Sequence, residues 1–157
     1  MYGHRTVKEI MVPLYSCPTI REDLSLKEAL AVIRTPPNTL LVLDRKQRPV
    51  GIVTVQSLFK AVPLFTLSPN GKQTLLKIVR LFHRRKQNGT GTTPSIKDFI
   101  WPLTKVNVSS YEPVYNAVLK MLAYRVDSLP VTEDGKVLGM VRATDIFQVI
   151  GELLTES

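Results

Sequence analysis

Residues with reactive side chains are scarce in this 157-residue chain, which holds one cysteine, Cys17, and two histidines, His4 and His83. A lone thiol closes no internal disulfide, which fits a reducing compartment. One Cys with two His leaves no ligand set at metal-binding spacing, and no nucleophile stands in a pattern with a partnered histidine. No apolar run approaches the ~20 residues of a membrane span. Met1-Tyr2-Gly3-His4-Arg5 leads straight into patterned sequence, so no signal peptide is expected and a cytoplasmic location is. Acidic residues are missing from one long stretch, with no Asp or Glu between Asp44 and Asp98. The net charge of +8 is therefore concentrated in the middle of the chain, where it predicts a local positive field.

What the chain does have is a repeat. Thr6-Val7-Lys8-Glu9-Ile10-Met11-Val12-Pro13-Leu14 returns in character as Ser95-Ile96-Lys97-Asp98-Phe99-Ile100-Trp101-Pro102-Leu103. Pro49-Val50-Gly51-Ile52-Val53 returns as Val137-Leu138-Gly139-Met140-Val141, and Ser57-Leu58-Phe59 as Asp145-Ile146-Phe147. The offset slips between 89 and 88 residues, as one single-residue gap would produce. This is no short solenoid period. It predicts two copies of a unit of roughly 55–60 residues, each too small to hold a large core alone, with the functional site between them.

Each copy reads as a short helix, a strand, a longer helix, two strands and a closing helix. In the second copy Pro113 marks a helix start, and Val114, Ala117, Val118, Met121 and Leu122 recur at helical spacing as its apolar face. Asp134-Gly135 between two apolar runs predicts a hairpin, and Thr144-Asp145 is expected to cap the closing helix. In the first copy a helix is expected over about Ser25 to Arg34, stopped by Pro36-Pro37. Leu40 to Leu43 and Val50 to Val53 are its hairpin strands. Between the copies, an amphipathic helix carrying Leu75, Leu76, Ile78, Val79, Leu81 and Phe82 precedes a Gly/Thr-rich loop. The expected divisions are residues 1–62, a basic connector at 63–94, and 95–157.

This layout resembles the cystathionine-β-synthase-type (CBS) domain pair, or Bateman module. The resemblance rests on Val7-Lys8-Glu9-Ile10-Met11 and its echo, on Tyr124-Arg125-Val126-Asp127-Ser128-Leu129-Pro130-Val131, and on Gly139-Met140-Val141-Arg142-Ala143-Thr144-Asp145-Ile146 with its counterpart from Gly51 to Leu58. It implies an α/β (α+β) fold of two β-α-β-β-α repeats packed about a pseudo-twofold axis, with the connector as a helical insertion. It also implies a regulatory role without catalysis: such pairs bind AMP, ADP, ATP or S-adenosylmethionine in clefts between the copies, and no cofactor is required. A homodimer or a protein effector would carry the signal.

In that family an Asp after the return strand holds the ribose, and a Thr or Ser three residues earlier meets phosphate. A carboxylate suits a diol through charge-assisted hydrogen bonds. This chain splits the pair: the second copy has Arg142 with Asp145, the first Thr54 with Ser57. A guanidinium can still grip phosphate, so the resemblance places the ligand in the cleft of Arg142, Thr144 and Asp145. The base side of that cleft would be Ser16, Pro18, Pro37, Asn38 and Thr39. The weaker second cleft would join Thr54, Gln56 and Ser57 to Thr104, Val106, Val126, Asp127 and Ser128.

Blander readings stand beside these. Asp145 is also a natural helix cap, Arg142 a surface ion-pair residue, and Trp101 a packing residue. A ligand-free dimerisation or interaction module is the alternative function. Nucleic-acid binding through the basic connector, with Arg84, Arg85 and Lys86, is a second.

Overall fold

The computed structural model describes residues 5–33, 39–59 and 95–155. The connector, and with it the amphipathic helix and basic cluster read from the sequence, lies outside these residues, as do Pro37 and Asn38. The first copy runs α1 (Val7–Ile10), β1 (Val12–Pro13), a 3-10 turn (Leu14–Ser16), β2 (Thr19–Arg21), α2 (Leu26–Ile33), β3 (Thr39–Leu43), β4 (Pro49–Thr54) and α3 (Val55–Phe59). The second runs a 3-10 turn (Ile96–Phe99), β5 (Trp101–Pro102), β6 (Val108–Ser109), α4 (Val114–Tyr124), β7 (Ser128–Glu133), β8 (Lys136–Arg142) and α5 (Ala143–Thr155).

The α+β class and the repeated order agree with the sequence reading, with three local differences. The single early strand of each copy is two short pieces. The opening helix of the second copy is a 3-10 turn, its first N–H groups met by Ser95, whose Oγ accepts from Lys97 N at 3.4 Å. The third concerns Leu122, which helical spacing places on the apolar face of α4. It is 72% exposed, whereas Ala117 and Met121 are buried, because the inward arc of this helix is too narrow to take it.

The strands form two four-stranded sheets, ordered β1-β8-β7-β6 and β2-β3-β4-β5. Each sheet takes one strand from the other copy. β1 pairs antiparallel with β8, Val12 opposite Met140 and Pro13 opposite Gly139. β5 pairs with β4 in the matching register, Trp101 opposite Ile52 and Pro102 opposite Gly51. The approach is close enough that only glycine fits: a Cβ on Gly139 would run into the Val12 carbonyl oxygen, and one on Gly51 into that of Trp101. The glycines that mark the repeat in the sequence are therefore where the two copies touch.

The opening segments cross over as well. Val7 N donates to Glu112 O at 2.9 Å and Ile96 N to Leu24 O at 3.1 Å, so each hooks onto the loop before the other copy's long helix. Val7 is wholly buried in a core made mainly by the second copy, with Val106, Val108, Ala117, Leu129, Val131 and Val141. Ile96 is wholly buried in the core of the first copy, with Ile20, Leu26, Ala29, Leu40 and Val53. Burying one such side chain contributes about 1.5–3 kcal/mol, so neither half completes its core without the other.

The hairpins explain the slipped offset. β3 and β7 correspond at 89 residues, β4 and β8 at 88, and both ladders break register at the same step, Val42/Leu43 and Val131/Thr132. The missing residue falls in the turn. Asp134 and Gly135 hold φ of 52° and 78°, the conformation an Asp-Gly hairpin turn needs. The longer turn of the first copy is organised by Asp44, whose Oδ1 accepts from Lys46 N at 2.8 Å and Arg48 N at 2.9 Å.

Candidate functional site

Strand exchange leaves a cleft where the strand-to-helix junction of one copy faces the helix-to-strand passage of the other. At the first-copy junction, Thr54 ends β4 and Ser57 sits in the first turn of α3. Ser57 Oγ accepts from Thr54 N at 2.8 Å and donates to Thr54 O at 2.9 Å, and Ser57 N donates to Thr54 Oγ1 at 2.9 Å. This is a reciprocal capping box. The Ser57 hydroxyl is 1% exposed and committed to the backbone, which leaves it no means of meeting a ligand.

At the second-copy junction Asp145 lies in the first turn of α5 and does not stand at its N-cap. Its Oδ2 reaches back to accept from Arg142 N at 3.0 Å, which is the other half of a capping box. The Arg142 guanidinium then closes on the same carboxylate, Nε to Oδ2 at 2.9 Å and Nη2 to Oδ1 at 2.6 Å. The bond to Asp145 raises the pKa of Arg142 above its already high ordinary value. Thr144, beside it, is exposed.

The partner side of this junction is the segment after β1. Ser16 is exposed and Pro18 half-buried. Between them Cys17 is close enough to Arg142 to feel its charge. Burial pushes the Cys17 thiol up, opposed by a bond to the Met140 backbone and by Arg142. Its Sγ donates to Pro13 O at 3.4 Å. A raised pKa leaves it a packing thiol.

A cavity of about 660 Å³ opens at the first-copy junction, lined by Thr39, Thr54, Val55, Gln56, Met121, Leu122, Arg125, Val126 and Asp127. It gathers four residues expected of the second cleft, Thr54, Gln56, Val126 and Asp127, and one expected of the first, Thr39. Thr39 and Asp127 meet directly, Thr39 Oγ1 donating to Asp127 Oδ1 at 2.7 Å. Ser128 Oγ bonds the same oxygen at 3.4 Å. The start of β3 therefore meets the residue just before β7 across the two copies. Ala143 N donates to Asp127 O at 2.8 Å, tying this passage to the start of α5. Of the other expected residues, Val106 is wholly buried in the core and Thr104 is exposed, and neither lines the cavity.

Sequence reasoning missed Arg125, Met121 and Leu122 here. Arg125 ends α4 in the left-handed region (φ 56°, ψ 47°), its N–H bonded to Met121 O. A helix end without Gly or Asn gives little local warning of that conformation. Trp101 packs edge-to-face on Tyr124 with ring centroids 6.1 Å apart, a packing role.

Chemically, the cavity offers an apolar wall from Met121, Leu122, Val55 and Val126. Its polar groups are two threonine hydroxyls, one amide, one cation and one carboxylate. That composition suits a flat heterocycle bearing hydroxyl or anionic substituents. Among the described residues no cluster of His, Cys, Asp and Glu could hold a metal ion, and no helix is long and apolar enough to cross a membrane.

The CBS-domain family matches residues 7–64 and 96–152, and the chain belongs to that family. Protein MJ1004 of Methanocaldococcus jannaschii is 38% identical over 68 residues, a match spanning 38% of this chain and 32% of that protein. Its crystal structure superposes with a TM-score of 0.60 at 24% identity, over 95% of this chain and 60% of that one. The CBSX2 structure in complex with AMP has a TM-score of 0.64 at 19% identity, covering 94% and 97% of the two chains. The CBS domain pair of MJ0100, in complex with 5′-methylthioadenosine and S-adenosyl-L-methionine, gives 0.57 at 21% identity, again over 94% and 97%. The fold is thus that of a CBS domain pair.

Proposed function

We propose that this chain is a ligand-sensing regulatory module, and that an adenosine compound binds in the clefts between its copies. The observation that carries the reading is the cavity of about 660 Å³ between the β4–α3 junction and the α4–β7 passage, where apolar walls meet Thr39, Thr54, Gln56, Arg125 and Asp127. Pairs of the same fold in complex with AMP and with S-adenosyl-L-methionine support the ligand class. Thr54 and Arg125 suit a phosphate, and the second carboxylate oxygen of Asp127 suits a hydroxyl. The Arg142–Asp145 junction is the other cleft of the same proposal. We assign the chain no reaction.

A sensor needs an outlet, and α4 supplies one. Leu122 lines the cavity and is exposed on α4 with Tyr115 and Leu119, while Phe147, Ile150 and Leu154 are exposed on α5, which packs against α4. A ligand that binds two placements of α4 unequally shifts the balance between them. In this reading a second copy of the chain packs on these side chains and transmits the shift.

The test is thermal unfolding with and without millimolar AMP, ADP, ATP and S-adenosylmethionine. A ligand at 100 times its dissociation constant adds about 2.7 kcal/mol, roughly 5–10 °C for a chain of this size. No shift with any of the four would sink the adenosine reading and leave an interaction module.

A further inference from the structure

We infer that Arg142 selects the ligand of the Asp145 cleft: it occupies the carboxylate itself and yields it only to a ligand that brings an anion of its own. The inference rests on the reading of the clefts as adenosine sites and names which adenosine compounds this one admits.

Both Asp145 oxygens are taken. Oδ2 accepts from Arg142 N and Nε, Oδ1 from Nη2. The two side chains are unequally held. That of Asp145 is 13% exposed in the first turn of α5, whereas that of Arg142 is 47% exposed. The guanidinium is the partner that can move.

The fold does not require this ion pair. At the equivalent junction of the first copy, Thr54 and Ser57 make the same capping contacts with neutral hydroxyls. The forked pair is an addition of the second copy. It stands at the boundary between copies, since Arg142 lies near enough to Cys17 for the two to affect each other electrostatically.

The consequence is an exchange of partners. A neutral nucleoside offering only its diol must break a forked, charge-assisted contact and leave a guanidinium unpaired. A nucleoside phosphate supplies a replacement: its phosphate takes Arg142, and Asp145 turns its oxygens to the hydroxyls. The cleft should therefore admit nucleoside phosphates and exclude neutral nucleosides.

The experiment is calorimetric titration of AMP, adenosine and S-adenosylmethionine into the full chain, its Arg142→Thr variant, and Arg142→Thr combined with Asp145→Ala. Threonine restores the capping hydroxyl found at Thr54, which protects the fold. The expected result is that the natural chain prefers AMP to adenosine by tenfold or more. In Arg142→Thr adenosine should gain about fivefold while AMP loses affinity, as release of a partly exposed ion pair allows. The gain should vanish in the double variant. Unchanged AMP-to-adenosine preference in Arg142→Thr, or a gain that survives loss of Asp145, would overturn the inference while leaving the adenosine reading intact. Binding of none of the three compounds by any of the proteins would overturn both.

Discussion

Val12 lies directly opposite Met140 in the antiparallel ladder that joins the first copy to the second. The same ladder recurs between Trp101 and Ile52. Because each sheet is completed by a strand of the other copy, the clefts at the strand-to-helix junctions exist only when both copies are present. Under the proposed reading, that dependence is what would let a bound ligand report how the copies sit.

Gly139→Ala should destabilise the protein by about 1–3 kcal/mol, since the added Cβ meets the Val12 backbone and not a movable side chain. Gly51→Ala should cost a similar amount against Trp101. Gly135→Ala should act through its positive φ alone and cost about 1 kcal/mol. Urea unfolding of the three variants orders them.

Ile96→Ala should cost about 2–5 kcal/mol, although Ile96 comes from the second copy and its core belongs to the first. The informative part is the shape of the transition. Both copies should still unfold together, with far-UV circular dichroism and Trp101 fluorescence coincident. Two separated transitions would show that the halves are independent.

Asp127→Ala should weaken adenosine-ligand binding about tenfold, because it removes the cavity's carboxylate and the anchor of Thr39. Thr39→Val removes the cross-copy hydrogen bond and one cavity hydroxyl but keeps the carboxylate, and should weaken binding less. Titration of both variants with AMP ranks the two groups.

Glu133 links the copies by accepting from Lys8 Nζ at 3.2 Å and Ser110 Oγ at 2.8 Å. Its hydrogen bonds to Ser110, Tyr111 and Lys8, in that order, hold its carboxyl below the usual value of 4.5. A depressed folded-state pKa contributes stability that is present above the unfolded value and lost as pH falls through the folded one. Stability should therefore decline with acidification below about pH 4.5, and Glu133→Gln should flatten that part of the curve. Denaturant midpoints from pH 3 to pH 6 check it.

Phe147→Asp with Leu154→Asp should leave the fold intact and yield a monomer, since both side chains are about 70% exposed on α5. Light scattering of the natural chain and the variant compares their masses. A natural chain already monomeric at high concentration would remove the second copy as the signal's outlet.

Much of this was legible in the residues. Asp134-Gly135 identified its hairpin because a tight turn needs those conformations locally, and the echo of Pro49–Val53 in Val137–Val141 identified the paired copies. Strand exchange left no such mark, because pairing between Val12 and Met140 is set by tertiary packing. Arg142 as an ion-pair residue and Asp145 as a cap were legible, but not that the two pair with each other. Two residues three apart can each face a ligand or face one another, and only the helix start decides. Leu122 misled because helical spacing shows that residues share a face and not which edge of that face stays outside.

The central claim is tested most directly by NMR, following backbone amides while AMP is added to the natural chain. The account predicts saturable shifts at Thr39, Thr54, Gln56, Arg125 and Asp127, with a second set at Arg142, Thr144 and Asp145. An unchanged spectrum at millimolar AMP, or shifts confined to residues away from both junctions, would contradict it.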